Sequence, residues 1–373
     1  MTDYFVGLDI SQKSTSICIT DPEGKKLHEG ASLTRPQDIY GWLSNRIDVK
    51  ASDIRVGLEA GTLSAWLHRG LSERGLHLTM LETFQAHRFL ATFRNKTDKN
   101  DAHGLAQLLR MGGEDFLRVV KVRSIGAQET RTMLSIRNHF VTQKVSLENH
   151  IAGILKPYGV IVRRNHVKPE SFRNRVLIAL RETELNGLNL TQYILPALDL
   201  YRSLCNKIKP MTERVETLAR DIPMVKRFME IPGVGPITAL TFYCAVDEPE
   251  RFKKSTDVAA YFGLTPRQYQ SGDMNYTTGI SKRGDPTVRR ALVTAATVLL
   301  TNTTTWSSLK AWGIRLVKRI GMSKARIAVA RKLAIIMHKM WIKNDRWRPK
   351  PITPKDREEL MGVTLTPRTP LMA

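Results

Sequence analysis

The sequence predicts an α/β domain followed by an all-α region, and three observations carry that prediction. β-Rich stretches that later alternate with helical ones fill the chain up to Leu81, three- and four-residue apolar spacing takes over from Ala127, and the charge divides between the two parts. Met1 to Val122 holds 16 Lys and Arg against 15 Asp and Glu, whereas Arg123 to Ala373 holds 42 against 20. With 373 residues, 42% of them hydrophobic, the chain can build a core for each of two or three domains. The expected division is an α/β domain over residues 1–122, a helical coiled-coil region over 123–222, a second helical domain over 223–343 and a mobile Pro-rich tail over 344–373.

Tyr4 to Ile10 and Ser14 to Thr20 are rich in Val, Ile and aromatic residues and are joined by the polar link Ser11-Gln12-Lys13, the pattern of a hairpin. Lys26 to Ser32 follows the turn Asp21-Pro22-Glu23-Gly24 as a third strand, and Pro36 opens a helix to about Arg46. Ile54 to Glu59 reads as a strand, Leu63 to Arg74 as a helix and Leu76 to Leu81 as a strand. A meander followed by this alternation gives a mixed sheet covered by helices, an order that fits the ribonuclease-H (RNase H) or Holliday-junction-resolvase architecture. Downstream, Met133, Ile136, Phe140, Leu147, Ile151 and Ile154 form one apolar stripe, stopped by Pro157. Leu198, Tyr201, Cys205, Ile208, Met211, Val215, Leu218 and Ile222 form another. The two predict long helices that pair as a hairpin or short coiled coil, within one chain or between chains, around the basic stretch Arg163 to Arg181. The last helix, Ser323 to Ile342, sets apolar residues against Lys324, Arg326, Arg331, Lys332 and Lys339, one buried face and one basic.

The formal charge of +23 points to a polyanionic partner, nucleic acid first among them. Cys18, Cys205 and Cys244 lie far apart without CxxC or Cys/His spacing, which argues against disulfides and structural zinc. No leader pattern opens the chain and no apolar run reaches the ~18 residues of a membrane span, so a cytoplasmic location is expected.

Within the balanced first part, Asp9 ends the first predicted strand and Glu59 ends the fourth, both acids where the strand is otherwise apolar. Lys96-Thr97-Asp98-Lys99-Asn100-Asp101-Ala102 then opens a helix, and a spacing of three puts Asp98 and Asp101 on one face. Strand ends frame the crevice of an open sheet, so these carboxylates can converge. Gathered together they would repel and hold protons, a penalty that a pair of Mg²⁺ ions removes. Taken singly, Asp98 reads first as a helix cap and Asp9 and Glu59 as members of ordinary ion pairs; taken together, with the sheet order before them, the metal reading is favoured.

In the basic part, Met229 to Ala239, with Ile231-Pro232-Gly233-Val234-Gly235-Pro236 at its centre, resembles a helix-hairpin-helix element, with Gly233 and Gly235 permitting a turn whose N–H groups face a phosphate and with Ile231 and Val234 anchoring it; a plain helix connection also uses Pro-Gly. Further on, Ser271 stands in a polar loop, with Arg267, Lys282 and Arg283 close in sequence as phosphate-binding candidates. A serine hydroxyl needs activation to act as a nucleophile, and composition alone reads Ser271 as a loop serine beside those bases. Asp273 could assist proton removal, but capping of a turn is the favoured reading.

Gly7-Leu8-Asp9, Glu59-Ala60-Gly61, Lys96 to Ala102, Ile231 to Pro236 and Gln270-Ser271-Gly272, taken in order, resemble the DEDD insertion-sequence transposases, the group founded on insertion sequence one-hundred-and-ten. The resemblance implies a resolvase-like N-terminal domain, a coiled-coil linker and a C-terminal transposase domain. It further implies that Asp9, Glu59, Asp98 and Asp101 are the metal-binding tetrad and that Ser271 attacks DNA to give a phosphoserine intermediate. It also implies a noncoding bridge RNA that pairs with donor and target DNA, and an oligomeric assembly. The competing expectations are a resolvase-type nuclease that uses metal-activated water, and a nonenzymatic nucleic-acid-binding protein.

Overall fold

The computed structural model describes residues 4–47, 54–93, 95–112, 116–162, 169–185, 187–272 and 274–348, and the chain divides into two compact units, Met1–Arg123 and Ser124–Ala373. In the first unit, β1 (Tyr4–Ile10), β2 (Ser14–Thr20) and β3 (Lys26–Leu33) form the expected antiparallel meander. After α1 (Pro36–Ser44), β4 (Ile54–Glu59) pairs parallel with β1; after α2 (Ser64–Ser72), β5 (His77–Leu81) pairs parallel with β4. The result is a five-stranded mixed sheet of order β3-β2-β1-β4-β5.

Strand alternation assigns the faces. Val6 and Leu8 of β1 and Val56 and Leu58 of β4 pack with Ile39 and Leu43 of α1 and Leu67 and Leu71 of α2 in one fully buried cluster. The odd positions of β1 and β4 face the other way, where α3 (Thr83–Leu90) and α4 (Asp98–Met111) follow. There Phe5 packs with Leu105, Leu108 and Leu109 of α4. Gly7 makes this contact close: a Cβ on it would collide with the carbonyl oxygen of Ala102 and lie 2.5 Å from the backbone nitrogen of Ala106. Gly57 on β4 would bring a Cβ to 3.3 Å from Leu109. The helix thus lies backbone-to-backbone on β1 at Gly7 and against β4 through the Leu109 side chain at Gly57.

The second unit begins with α5 (Ile125–Leu155), α6 (Pro169–Leu185) and α7 (Thr191–Asp221). The expected long helices pair within the chain, held at the two ends of the pair. At one end Ile151, Leu155, Phe172, Val176, Leu198 and Tyr201 form a core; at the other, Leu134, Val215 and Ala219 join the core of the remaining helices. Ile136 and Ile154, counted into the apolar stripe, are 44% and 40% exposed. Helical turns of 3.6 residues drift off a stripe counted in threes and fours, and Leu134 rather than Ile136 takes the core position.

α8 (Pro223–Phe228), α9 (Pro236–Val246) and α10 (Ser255–Tyr261) lead to a two-stranded hairpin, β6 (Pro266–Ser271) and β7 (Met274–Ile280), and then to α11 (Pro286–Thr301), α12 (Ser308–Ile320) and α13 (Met322–Ile342). The second unit runs through position 222 without a division. Two expectations need correction. The stretch read as a polar loop around Ser271 is this hairpin; it buries nothing, so the apolar alternation that betrays a strand is missing. The start of the expected mobile tail is docked: Arg346 donates to Glu230 Oε1 at 2.9 and 2.6 Å, and the Trp347 N–H donates to Oε2 at 3.2 Å. Residues 349–373 lie outside the described residues. Among the described residues, no helix is long and apolar enough to cross a membrane.

Gly7→Ala should destabilise the full chain by about 3 kcal/mol, because neither backbone atom in its way can rotate aside. Denaturant unfolding checks this, and an unchanged midpoint would contradict the close approach.

Candidate functional site

Leu8 and Leu58 are register partners on parallel strands, so Asp9 and Glu59, one residue further on, stand side by side at the carboxyl ends of β1 and β4. Alternation turns both toward the face that Gly7 and Gly57 yield to α4. Going from Gly7 toward Asp9 moves from Ala102 toward the N-terminal turn of that helix, which carries Asp98 and Asp101. The helix cap is Thr97, whose side chain accepts from the Asn100 N–H at 3.2 Å, so Asp98 is not spent on capping. All four carboxylates named from sequence therefore lie toward the carboxyl ends of β1 and β4, close enough that the charges of Glu59, Asp98 and Asp101 act on Asp9.

Their proximity registers electrostatically. Burial, followed by the charges of Asp101, Asp98 and Glu59, pushes the Asp9 carboxyl up to about 6, with Lys96 opposing. Burial also raises Glu59; the charge of His87, a hydrogen bond with Thr83 and Lys96 act against it, while Asp101 adds to it. Thr83 is fixed at this edge by donating to the carbonyl of Ala60 at 2.9 Å. Among the described residues, no three Asp, Glu, His or Cys side chains are drawn in tightly enough to hold an ion as they stand. The acids form a mutually repelling, all-oxygen set, and this donor chemistry suits a hard divalent cation. Sequence reasoning missed Thr83 and His87 and gave Lys96 no role. It also passed over a usable signal: Gly7-Leu8-Asp9 and Gly57-Leu58-Glu59 repeat the order glycine, leucine, acid.

Ser271 lies in the other unit, at the end of β6, paired with Met274 across a turn where Gly272 has φ of 53°. Asp273 lies outside the described residues. The foot of the hairpin is locked by backbone contact: a Cβ on Gly263 would strike the backbone of Arg283, and one on Gly284 the carbonyl of Tyr261. Arg289 fastens the same place, donating from Nη1 to the carbonyls of Phe262 at 3.2 Å, Arg283 at 2.5 Å and Gly284 at 3.0 Å. Asp285 caps α11 through the Thr287 N–H at 2.8 Å and pairs with Arg131 of α5 at 2.5 Å. Burial works against that charge, but the Arg131 hydrogen bond and charge, with help from backbone N–H groups, hold the Asp285 carboxyl below its usual range. Arg267 donates to the Ser281 carbonyl at 3.1 Å, and Lys282 and Arg283 are exposed, so three cationic side chains sit at this foot.

In the α8–α9 turn, Ile231 and Val234 are buried, and Gly233, at φ of 88°, presses on α11, where a Cβ would lie 2.6 Å from the Ala295 carbonyl oxygen. Gly235 opens α9 without a side-chain cap and with open space around it.

Two family models match this chain. One described as Transposase IS116/IS110/IS902 family covers residues 225–311, and a transposase model of the DEDD, IS110 type covers residues 6–160. The transposase for insertion sequence element IS1111A of Coxiella burnetii is 28% identical over 348 residues, 92% of this chain and 91% of that protein. A putative transposase of Sinorhizobium fredii is 29% identical over 68% of this chain and 65% of its own length. A probable family 20 transposase of Pseudomonas aeruginosa is 26% identical over 68% of this chain and 75% of its own.

The Asp9 shift has a sign that can be tested. A carboxyl raised from 3.8 to about 6 contributes stability that is fully present below the lower value and lost as pH rises through the upper one. In chelator, Asp9→Asn should therefore be more stable than the parent above pH ~6, by on the order of 1 kcal/mol after solvent screening, with the gap closing toward pH ~4. Thermal unfolding across that range measures it; a variant less stable at every pH would contradict the clustered charge.

Proposed function

The chain belongs to the IS110 family of insertion-sequence transposases, and from that premise we propose that it cuts and rejoins DNA through a divalent-metal site of Asp9, Glu59, Asp98 and Asp101, with Ser271 as nucleophile. One observation carries the reading: Asp9 and Glu59 follow the register pair Leu8–Leu58 on adjacent parallel strands, and the charges of Asp98 and Asp101 in the first turn of α4 bear on Asp9. The strand order and the helix lying on β1 and β4 support an RNase H-like, resolvase-type first domain.

Asp9 and Glu59 from the sheet and Asp98 and Asp101 from the helix would hold Mg²⁺, two ions in the fullest form of the reading. A cation held by these four carboxylates would supply Lewis-acid chemistry, offsetting their mutual repulsion and the charge that develops on the reacting phosphate oxygens. Lys96 balances part of the same negative charge. Ser271, on an exposed hairpin with a rigid foot, is free to reach a phosphodiester. Its Oγ forms a bond to phosphorus as the bond from phosphorus to a deoxyribose oxygen breaks, and the hydroxyl proton is passed on to the departing oxygen. Because the phosphoserine keeps a phosphodiester's bond energy, the reverse step rejoins DNA without an outside energy source. Arg267, Lys282 and Arg283, at the foot of the hairpin, would meet backbone phosphates of the DNA that Ser271 addresses, and the turn holding Gly233 and Gly235 would meet another as a helix-hairpin-helix.

The net positive charge after Val122 suits a partner larger than one duplex. A bridge RNA that pairs with donor and target DNA would read sequence, leaving the protein to hold backbone and shape. Ser271 would be delivered to the acids within one chain or from a neighbouring subunit; the second route would make an oligomer the working form, in the cytoplasm where bacterial DNA lies.

The test is a supercoiled plasmid carrying the element ends, incubated with protein, guide RNA and Mg²⁺. The parent should leave a covalent protein–DNA adduct. Ser271→Ala should abolish the adduct, and Asp9→Ala or Asp101→Ala should lower cleavage at least a hundredfold. Cleaved ends free of protein would replace serine by water as the nucleophile, and binding without cleavage would make the chain a nonenzymatic nucleic-acid-binding protein.

A further inference from the structure

The hairpin that carries Ser271 is an unusual piece of structure, because both of its strands are exposed along their length apart from the half-buried Ile280. An isolated two-stranded ribbon is marginal in water and gains stability when something covers it. Its two faces differ. Register pairs Tyr269 with Tyr276 and Ser271 with Met274, and the two-residue repeat puts all four on one side; Gln268, Gln270, Asn275 and Thr277 occupy the other. On the first side the tyrosine rings stack, centroids 5.3 Å apart and planes 17° from parallel, yet Tyr269 is 48% and Tyr276 53% exposed, and Met274 beside them 64%. Arg267 lies on the same strand, and Lys282 and Arg283 follow directly after β7. Stacked aromatic rings with cations toward the foot of the same hairpin, on a surface exposed among the described residues, match the chemistry that grips unpaired nucleotides: bases stack on rings while phosphates meet the cations.

We propose that the Tyr269–Tyr276 pair is a stacking platform for an unpaired nucleobase next to the phosphate that Ser271 addresses. Ser271 is two residues from Tyr269 on the same face, about 7 Å along the strand, so the base that stacks there sets which phosphate lies over the hydroxyl. The tyrosines are positioning residues rather than catalytic ones. The assignment rests on Ser271 as the group that meets the scissile phosphate, and it adds a selection for DNA that is melted at the reacting step.

The experiment uses the full chain and a single-stranded 20-nucleotide DNA with one 2-aminopurine, whose fluorescence falls on stacking. The parent should quench the probe. Tyr269→Ala and Tyr276→Ala should each weaken binding about tenfold, equivalent to about 1.4 kcal/mol, and lose most of the quench, since each removes a ring on which a base stacks. Tyr269→Phe and Tyr276→Phe should bind and quench like the parent, which also controls for folding. The slope of log Kd against log salt should stay the same in all four, because no phosphate contact is removed. Unchanged quenching in the alanine variants would overturn the platform, as would equal loss in the phenylalanine variants, or loss of self-association with DNA binding intact, which would make the face a contact between copies. Ser271→Ala should quench normally while forming no adduct; a parent that quenches but never forms an adduct would refute the serine assignment and leave the stacking itself standing.

Discussion

The closest constraint in the molecule is the seat of α4 on β1 and β4. Helices usually stand off a sheet by the thickness of their side chains, and here Gly7 removes one layer while Ala102 and Ala106 remove the other. That contact fixes both the distance and the phase of the helix, and hence where its first turn falls. It carries Asp98 and Asp101 toward the carboxyl ends of β1 and β4, where their charges act on Asp9. The same contact explains their electrostatics, since Asp9 is half-buried under the helix and feels the other three acids at once. Residues held in this way cost the metal-free chain stability, which a bound cation would return.

The second unit solves a different problem, that of presenting a reactive group on a slender support. The hairpin contributes nothing to the core, yet its foot is pinned by two backbone-to-backbone contacts at Gly263 and Gly284, by three hydrogen bonds from Arg289 and by the Arg131–Asp285 pair. Rigidity at the base with exposure at the tip suits a group that must reach a large partner. The helical pair α5–α7 is likewise secured at its ends by two distinct cores, with half-buried residues such as Phe140, Ile208 and Met211 between.

Much of this was legible in the sequence, and the exceptions have physical causes. β1, β2 and β4 were legible as apolar β-branched runs separated by turn residues, because these strands are largely buried, whereas the strand order was not read from sequence and β3 is mostly exposed. The acids were legible as charges at the ends of strands that are otherwise apolar. Their meeting point was harder, since it depends on glycine at two positions where the informative feature is a missing side chain. The hairpin escaped notice for the opposite reason: with nothing buried on either face, Gln268 to Thr277 carries no apolar alternation, and only Tyr269 and Tyr276 hint at a strand pair. The tail was misjudged at its start because a Pro-rich composition says nothing of a single acceptor, Glu230, far back in the chain.

The central claim is that these four carboxylates act as one cation site, and direct metal titration tests it most plainly. Mn²⁺, a paramagnetic substitute for Mg²⁺, can be titrated into the full chain and followed by electron paramagnetic resonance, for the parent and for Asp9→Ala, Glu59→Ala and Asp98→Ala. The account expects saturable binding by the parent and at least a tenfold loss of affinity in each variant, whether or not any DNA is present. Equal Mn²⁺ affinity in parent and variants would mean that the acids meet for some other reason, and the reading of the site would fall with it.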